Sequence, residues 1–300
     1  MGQKREHCPV CFSPDLRPFK KGSLSLENLT PEKIKITDAE YGLTWNLSRC
    51  QHCAFVFANP GPDTELLAQL YSEVKDPDYE AEASGRRRNF RRILRRLEKL
   101  APEKGRLFDV GAATGLFLDE AQKRGWQVSG IEPSRWAREQ ARIKYGLNLY
   151  QGSLETFETD QLFYDVVTLI DILEHTPNPR LTMKRANGLL KTNGLLVIVT
   201  PDLNSLAARL AGRGWWHFRP GHLGYFNRHS LKHLLNLTGF NVLSWRRYSW
   251  SFSLNYLLRR RRFLSPLLNL PGLASFWSRI PIKLALGDSF EVYAQKKEKA

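Results

Sequence analysis

What this chain lacks narrows its class before any motif is read. No run of eighteen apolar residues occurs in its 300 residues, so no bilayer-spanning helix is expected. The opening Met-Gly-Gln-Lys-Arg-Glu-His-Cys has no apolar stretch of the kind that marks an export signal. A cytoplasmic location is expected, with peripheral attachment to the inner membrane face as an option that the basic segments raise. Acidic residues are scarce: 30 Asp and Glu stand against 45 Lys and Arg, a formal net charge of +15. That excess suits an anionic partner, whether nucleic acid, a membrane surface or a phosphorylated substrate. Apolar content of 42% and charged content of 25% are ordinary for a globular chain. The length suffices for one large core and a small module.

Cysteine is absent beyond residue 53; all four fall in two pairs, Cys8-Pro-Val-Cys11 and Cys50-Gln-His-Cys53. Each pair presents two sulfurs from one tight turn, and two such knuckles supply the four thiolates of a tetrahedral zinc site. The zinc would stabilise a module of small core by ~10–16 kcal/mol. His7 and His52 adjoin cysteines, but a second ligand next in sequence to the first is awkward, so the four sulfurs are preferred. A redox-active dithiol is the alternative. Ile34–Ile36 and Leu43–Leu47 alternate in the manner of strands and are expected to pair within a zinc ribbon over residues 1–58. Asn59 to Thr64, with two prolines and a glycine, break the chain there. Thr64 is the expected cap of the next helix. Residues 59–104 then read as a linker with basic helices. Over Gly85 to Leu100, Phe90, Ile93, Leu94, Leu97 and Leu100 make one apolar face; Arg86, Arg87, Arg88, Arg91, Arg92, Arg95 and Arg96 occupy the others. That basic side is either a solvated surface or a dock for phosphates or anionic lipid.

Glycine is missing where a dinucleotide site would want it. Leu107 to Gly115 reads as a buried strand, a glycine turn and a helix starting near Leu116. A second strand, Trp126 to Ile131, ends in Glu132, twenty-one residues past Gly111. This is the layout of a nucleoside-binding βαβ unit, with an acid placed to accept from ribose hydroxyls. A pyrophosphate fingerprint needs glycines at its first, third and sixth positions. Here the third is Ala113, and the next glycine is the fifth, Gly115. A nucleoside without phosphates, such as S-adenosylmethionine, fits better than a nicotinamide dinucleotide. An ordinary βα turn is the plain alternative.

Four segments in order carry a family resemblance: Asp109-x-Gly111-x-x-x-Gly115; Ile131-Glu132-Pro133; Asp165 through Asp171-Ile-Leu-Glu174-His175; and Leu195 through Pro201. Together they resemble the class I S-adenosylmethionine-dependent methyltransferases over roughly residues 105–250, and within these the ubiquinone-biosynthesis O-methyltransferases and zinc-ribbon sugar methyltransferases. The resemblance implies an α/β fold over 105–300. Its sheet would be Rossmann-like and seven-stranded, mostly parallel with the last strand antiparallel, with helices on both faces. It implies a cofactor site at Asp109, Gly111, Ala112, Gly115, Glu132, Pro133, Ser153, Leu154, Asp171 and Ile172. Ser153 departs from the aspartate that many relatives place there. The tyrosine-containing stretch Tyr71 to Tyr79 is similar to one that closes over the ligand.

His175, His222 and Tyr225 are the candidate catalytic residues. Imidazole suits the removal of a hydroxyl proton near neutral pH. The loop 201–227, with Trp215, Trp216, His217, Phe218, His222, Tyr225 and Phe226, has the aromatic density of a substrate wall. A helix over Ser230–Leu237 and strands over Asn241–Tyr248 and Phe290–Ala294 should complete the domain. Between those strands, residues 250–288 combine Arg259 to Arg262 with Phe263, Leu264, Phe276 and Trp277, divided by Pro266, Pro271 and Pro281. Such a mixture suits either an interfacial segment or an insertion packed on the enzyme. The acceptor is expected to be a small molecule or glycan precursor, such as a nucleotide- or lipid-linked sugar. An RNA methyltransferase or a non-catalytic cofactor-binding scaffold is the alternative. The Asn-Pro-Pro-Tyr-like motif of nucleobase N-methylation is absent after the fourth strand.

Overall fold

A computed structural model describes residues 2, 4–37, 40–157, 163–259 and 273–298. At the N-terminus, β1 (Leu16–Lys20), β2 (Leu47–Cys50) and β3 (Val56–Ala58) form an antiparallel ribbon. The strands expected at 34–36 and 43–47 are not there. Ile34 closes a short helix, α1 (Pro31–Ile34), which Pro31 opens. Proline's fixed φ and missing N–H suit a first helical turn and not a sheet interior. Of the second stretch only Leu47 enters a strand. Trp45 is buried instead as a loop anchor, its Nε1 donating to the Pro220 carbonyl at 2.9 Å.

Three helices follow: α2 (Thr64–Glu73), α3 (Pro77–Ala81) and α4 (Ala83–Leu100). Asp63, not Thr64, caps α2, its carboxylate accepting from Leu66 N at 2.8 Å. A carboxylate at that position also complements the positive helix end. On α4 the expected apolar face is buried through Phe90, Ile93, Leu94 and Leu97, while Leu100 is exposed.

The central sheet is built from β4 (Arg106–Val110), β5 (Gln127–Glu132), β6 (Tyr150–Gln151), β7 (Tyr164–Ile170) and β8 (Leu190–Pro201). Later in the chain come β9 (Gly224–Tyr225), β10 (Phe240–Arg247), β11 (Trp250–Ser253), β12 (Pro281–Leu284) and β13 (Ser289–Lys296). The seven-stranded order is β10-β13-β8-β7-β4-β5-β6. Only β13 runs against its neighbours, pairing antiparallel with both β8 and β10. This is the expected architecture, with β6 a two-residue strand at the edge. Alternation along the strands loads both faces. Phe108, Val110, Leu196 and Ile198 join one apolar cluster, and Leu107, Leu195, Val197 and Val199 the other. Burying each such side chain is worth ~1.5–3 kcal/mol.

After α4 come α5 (Leu116–Gln122), α6 (Arg135–Tyr145), α7 (Pro179–Leu189), α8 (Leu206–Ala211) and α9 (Arg228–Leu237). The first face is covered by α7 and α9, the second by α4 and α5. The ribbon belongs to the first cluster: Cys8, Cys53, Phe55 and Phe57 pack with Phe226, Leu231 and Leu173. Strand β9, from the aromatic loop, adds a fourth strand to the ribbon by pairing with β3. The break at 59–64 is thus a break in sequence and not in packing.

Three of the seven arginines on α4 are ion-paired. Arg87 reaches Asp119 and Glu120 on α5 at 2.5 Å each, Arg91 reaches Glu120 at 2.6 Å, and Arg96 pairs with buried Glu291 on β13. Burial raises the carboxyls of Asp119 and Glu120, but the cations outweigh it and hold both below the usual range. These three therefore fasten α4 to the domain.

The first part of the 250–288 insertion is also fastened. The Asn89 side chain on α4 exchanges two hydrogen bonds with the Ser251 backbone, at 3.1 and 2.8 Å. Glu82 accepts from Ser253 N at 2.6 Å and Oγ at 2.5 Å. Gly85 permits the crossing, since an added Cβ would lie 2.1 Å from Glu82 Oε1 and 2.9 Å from the Ser251 carbonyl oxygen. Arg260 to Arg262, Phe263, Leu264, Pro266 and Pro271 lie outside the described residues. Among the described residues, no helix is long and apolar enough to cross a membrane.

Candidate active site and cysteine cluster

Parallel sheets bind ligands beyond the carboxyl ends of their strands. Here a cavity of about 1090 Å³ opens beyond the ends of β4, β5 and β7. From the ends of those strands, Asp109, Gly111, Glu132 and Asp171 reach its wall. Glu132 is buried, and its two carboxylate oxygens accept from Ala113 N and Ser134 N at 2.8 Å each. Each oxygen keeps a lone pair for a ligand hydroxyl. Burial raises this carboxyl to about 7. Asp109 is likewise raised to about 7 by burial, against the bond from Thr168 Oγ1 at 2.6 Å.

The turn after β4 uses left-handed backbone. Gly111 has φ +67° and Ala113 φ +48°, in the region that favours glycine. Asp171, with φ +56°, sits where β7 leaves the sheet. Burial raises its carboxyl to about 7, moderated by Arg86 and Arg219.

Ala112, Pro133, Ser153, Leu154 and Ile172 also line the cavity. Gly115 does not: it starts α5 at φ +81°, and a Cβ there would lie 2.9 Å from Leu147 Cδ1 and 3.1 Å from Ala141 Cβ. Its need is helix packing.

The second half of the cavity faces the aromatic loop. Leu173–His175 form a 3-10 turn after β7. His175 Nδ1 is 3.0 Å from the Tyr71 hydroxyl, and its ring is 4.7 Å from that of His222. His217 lies 5.7 Å beyond His222, ring to ring. Burial lowers all three imidazoles, His175 to about 3, so each is neutral at pH 7. Tyr225 is not on the wall. Its hydroxyl is 3.2 Å from Thr44 Oγ1 and donates to the His222 carbonyl at 3.3 Å. It braces the loop from behind.

The sequence reading missed Trp136 and Asp288 as wall residues and placed Arg86 only on a basic helix face; Arg219, within the aromatic loop, is on the wall as well. Trp136 stands four residues after Glu132, a spacing that could have flagged it. Arg86 arrives from α4 and Asp288 from just before β13, with no local signal.

Glu174, His175 and His222 bring donor atoms within 4.8 Å of one another. Glu174 accepts from Thr200 Oγ1 at 2.8 Å, and His175 pairs with Tyr71. All three line the cavity.

The four cysteine sulfurs converge. Cys8 and Cys53 Sγ are 3.6 Å apart, and Cys11 and Cys50 Sγ 3.5 Å. A disulfide needs ~2.05 Å, and all four are free thiols. Thiolates at ~2.3 Å from a tetrahedral zinc would stand ~3.8 Å apart. The donor set and its spacing fit such an ion.

The fold and its cavity define a class. A methyltransferase-domain family matches residues 83–244 of the chain. A ubiquinone biosynthesis O-methyltransferase of Xanthomonas axonopodis pv. citri is 28% identical over 186 residues, 53% of this chain and 77% of that protein. One from Azoarcus sp. is 32% identical over 109 residues, covering 33% of this chain and 45% of its own length. An amino pentose methyltransferase from Micromonospora echinaspora, solved with S-adenosylmethionine bound, has 16% identity and a TM-score of 0.48, covering 75% of this chain and 99% of its own. The chain spans most of the first curated relative and less than half of the second. This chain belongs to the methyltransferase-domain family. It is an S-adenosylmethionine-dependent methyltransferase.

Proposed function

We propose that the chain methylates a hydroxyl of a small anionic acceptor, with a nucleotide- or lipid-linked sugar as the class. The observation that carries this reading is the make-up of the acceptor half of the cavity. Lys35 and Arg219 stand there among Tyr41, Trp216, Trp250 and Phe252. Cations suit a phosphate or carboxylate, and aromatic faces suit a flat or sugar ring. The relatives named O-methyltransferases support oxygen as the methylated atom.

Glu132 would hold the ribose, Asp109 and Asp171 the methionine end, and Ala112, Pro133, Ser153, Leu154, Trp136 and Ile172 the adenosine. S-adenosylmethionine supplies an electrophilic methyl group on a sulfonium. The protein's task is then alignment of the acceptor oxygen and exclusion of water. His175 and His222 wall the transfer position, and neutral imidazoles place no charge against the sulfonium. Cys8, Cys11, Cys50 and Cys53 would hold one structural zinc.

Incubation with methyl-labelled cofactor tests the acceptor class. Label should move to nucleotide- or lipid-linked sugars at micromolar concentration. Transfer to uncharged phenols with none to those sugars would overturn the class.

A further inference from the structure

Among the described residues, three histidines line the cavity, and only one of them has a carboxylate hydrogen-bond partner. His217 Nε2 lies 3.1 Å from Asp288 Oδ2, and the Trp216 indole N–H donates to the same oxygen at 2.7 Å. The Asp288 side chain is 1% exposed and His217 is 13% exposed, and both line the cavity. His222, by contrast, has a buried Nδ1 with no partner. His175 is engaged by the Tyr71 hydroxyl.

We propose that His217 is the proton acceptor of this methyltransferase and that Asp288 is its positioning residue. Asp288 accepts the Nε2–H and so fixes one tautomer, leaving Nδ1 as the basic nitrogen. A carboxylate behind an imidazole both orients it and stabilises its protonated form. In the transfer the acceptor hydroxyl's proton passes to Nδ1. Its oxygen bonds the methyl carbon, and the carbon–sulfur bond breaks with its electron pair left on sulfur. Positive charge leaves the sulfonium and appears on the imidazolium, beside Asp288.

The groups facing His217 are Asp288 from just before β13, Arg219 and His222 from its own loop, and His175 from the 3-10 turn. Arg219 and burial oppose its protonation, and Asp288 favours it. Among the three histidines it alone has that compensation. Trp216 and His217 hold Asp288 below the usual carboxylate range against its burial, so the partner is ionised at neutral pH. Sequence proximity did not reveal the pair, since 71 residues separate the two.

The inference rests on the methyltransferase reading but not on the identity of the acceptor. The deciding measurement is nitrogen NMR of ¹⁵N-histidine-labelled full-length protein with S-adenosylhomocysteine bound, with His217 assigned by H217Q. The expected result is an Nε2–H tautomer for His217, kept in D288E and lost or mixed in D288N. Its pKa should stand above those of His175 and His222 and fall in D288N by at least a factor of about ten in proton affinity. Unchanged thermal melting and S-adenosylhomocysteine affinity within about threefold show that the variants fold. An Nδ1–H tautomer, or a His217 pKa indifferent to D288N, overturns the assignment. With a sugar nucleotide acceptor, H217Q and D288N should lower kcat by about 10²-fold or more with KM little changed. Failure of the wild type to methylate that acceptor would count against the acceptor class, while the tautomer still decides the pair.

Discussion

The backbone N–H of Ala58 donates to the carbonyl of Leu223 at 2.8 Å, tying the last ribbon strand to the residue after His222. The Leu223 N–H in turn donates to the Glu174 carbonyl at 2.7 Å, one residue before His175. Asn227 adds a bond from its Nδ2 to the Ala54 carbonyl at 3.0 Å, beside Cys53. The cysteine cluster, the aromatic loop and the histidine floor are therefore one hydrogen-bonded unit.

Metal removal should be felt at the active site. Elemental analysis is expected to find one zinc per chain. After chelation, amide exchange should rise over residues 50–58 and also over 222–227, while α5 and α7 stay protected. Ordered exchange at 222–227 in a verified metal-free protein would show that the loop does not depend on the ribbon.

The join between ribbon and loop is apolar as well as hydrogen-bonded. Phe226 is fully buried, with its ring 4.6 Å from that of Phe55. Phe226→Ala should cost ~3–5 kcal/mol by lost burial and the cavity left behind. Urea unfolding measures it, and a loss under ~1 kcal/mol would mean that the two units do not share a core.

Asp109 gives a signed pH dependence. Burial raises its carboxyl to about 7 from an ordinary value of 3.8. The folded state thus binds the proton more tightly than the unfolded one. That contribution to stability is full below pH 3.8 and is lost as pH rises through 7. Asp109→Asn stays neutral and keeps the acceptor for Thr168. In ligand-free protein its melting temperature should therefore gain on the wild type between pH 5 and pH 8. A constant difference across that range would place the wild-type carboxyl at an ordinary pKa.

How much of this was legible beforehand follows from the range of each interaction. Leu107 to Gly115 announced itself because a strand buried on both faces must be continuously apolar and a tight turn needs glycine. The paired CxxC knuckles were legible because ligand spacing is local. The ribbon strands were misplaced because alternation at 34–36 and 43–47 competes with Pro31 opening a helix and with Trp45 serving as an anchor, which only tertiary packing decides. The arginine helix looked like a surface because Asp119, Glu120 and Glu291 are distant in sequence. Tyr225 and Gly115 have the residue types of a site, but their surroundings make them struts.

The cofactor assignment is the centre of the account, and titration calorimetry tests it most directly. S-adenosylmethionine or its demethylated product should bind with a stoichiometry near one, and NAD should give no heat. Glu132→Ala should weaken binding by ~1–3 kcal/mol, since a charge-assisted hydrogen bond to the ribose is lost. Tight binding of NAD with no heat from S-adenosylmethionine would contradict the account at its root.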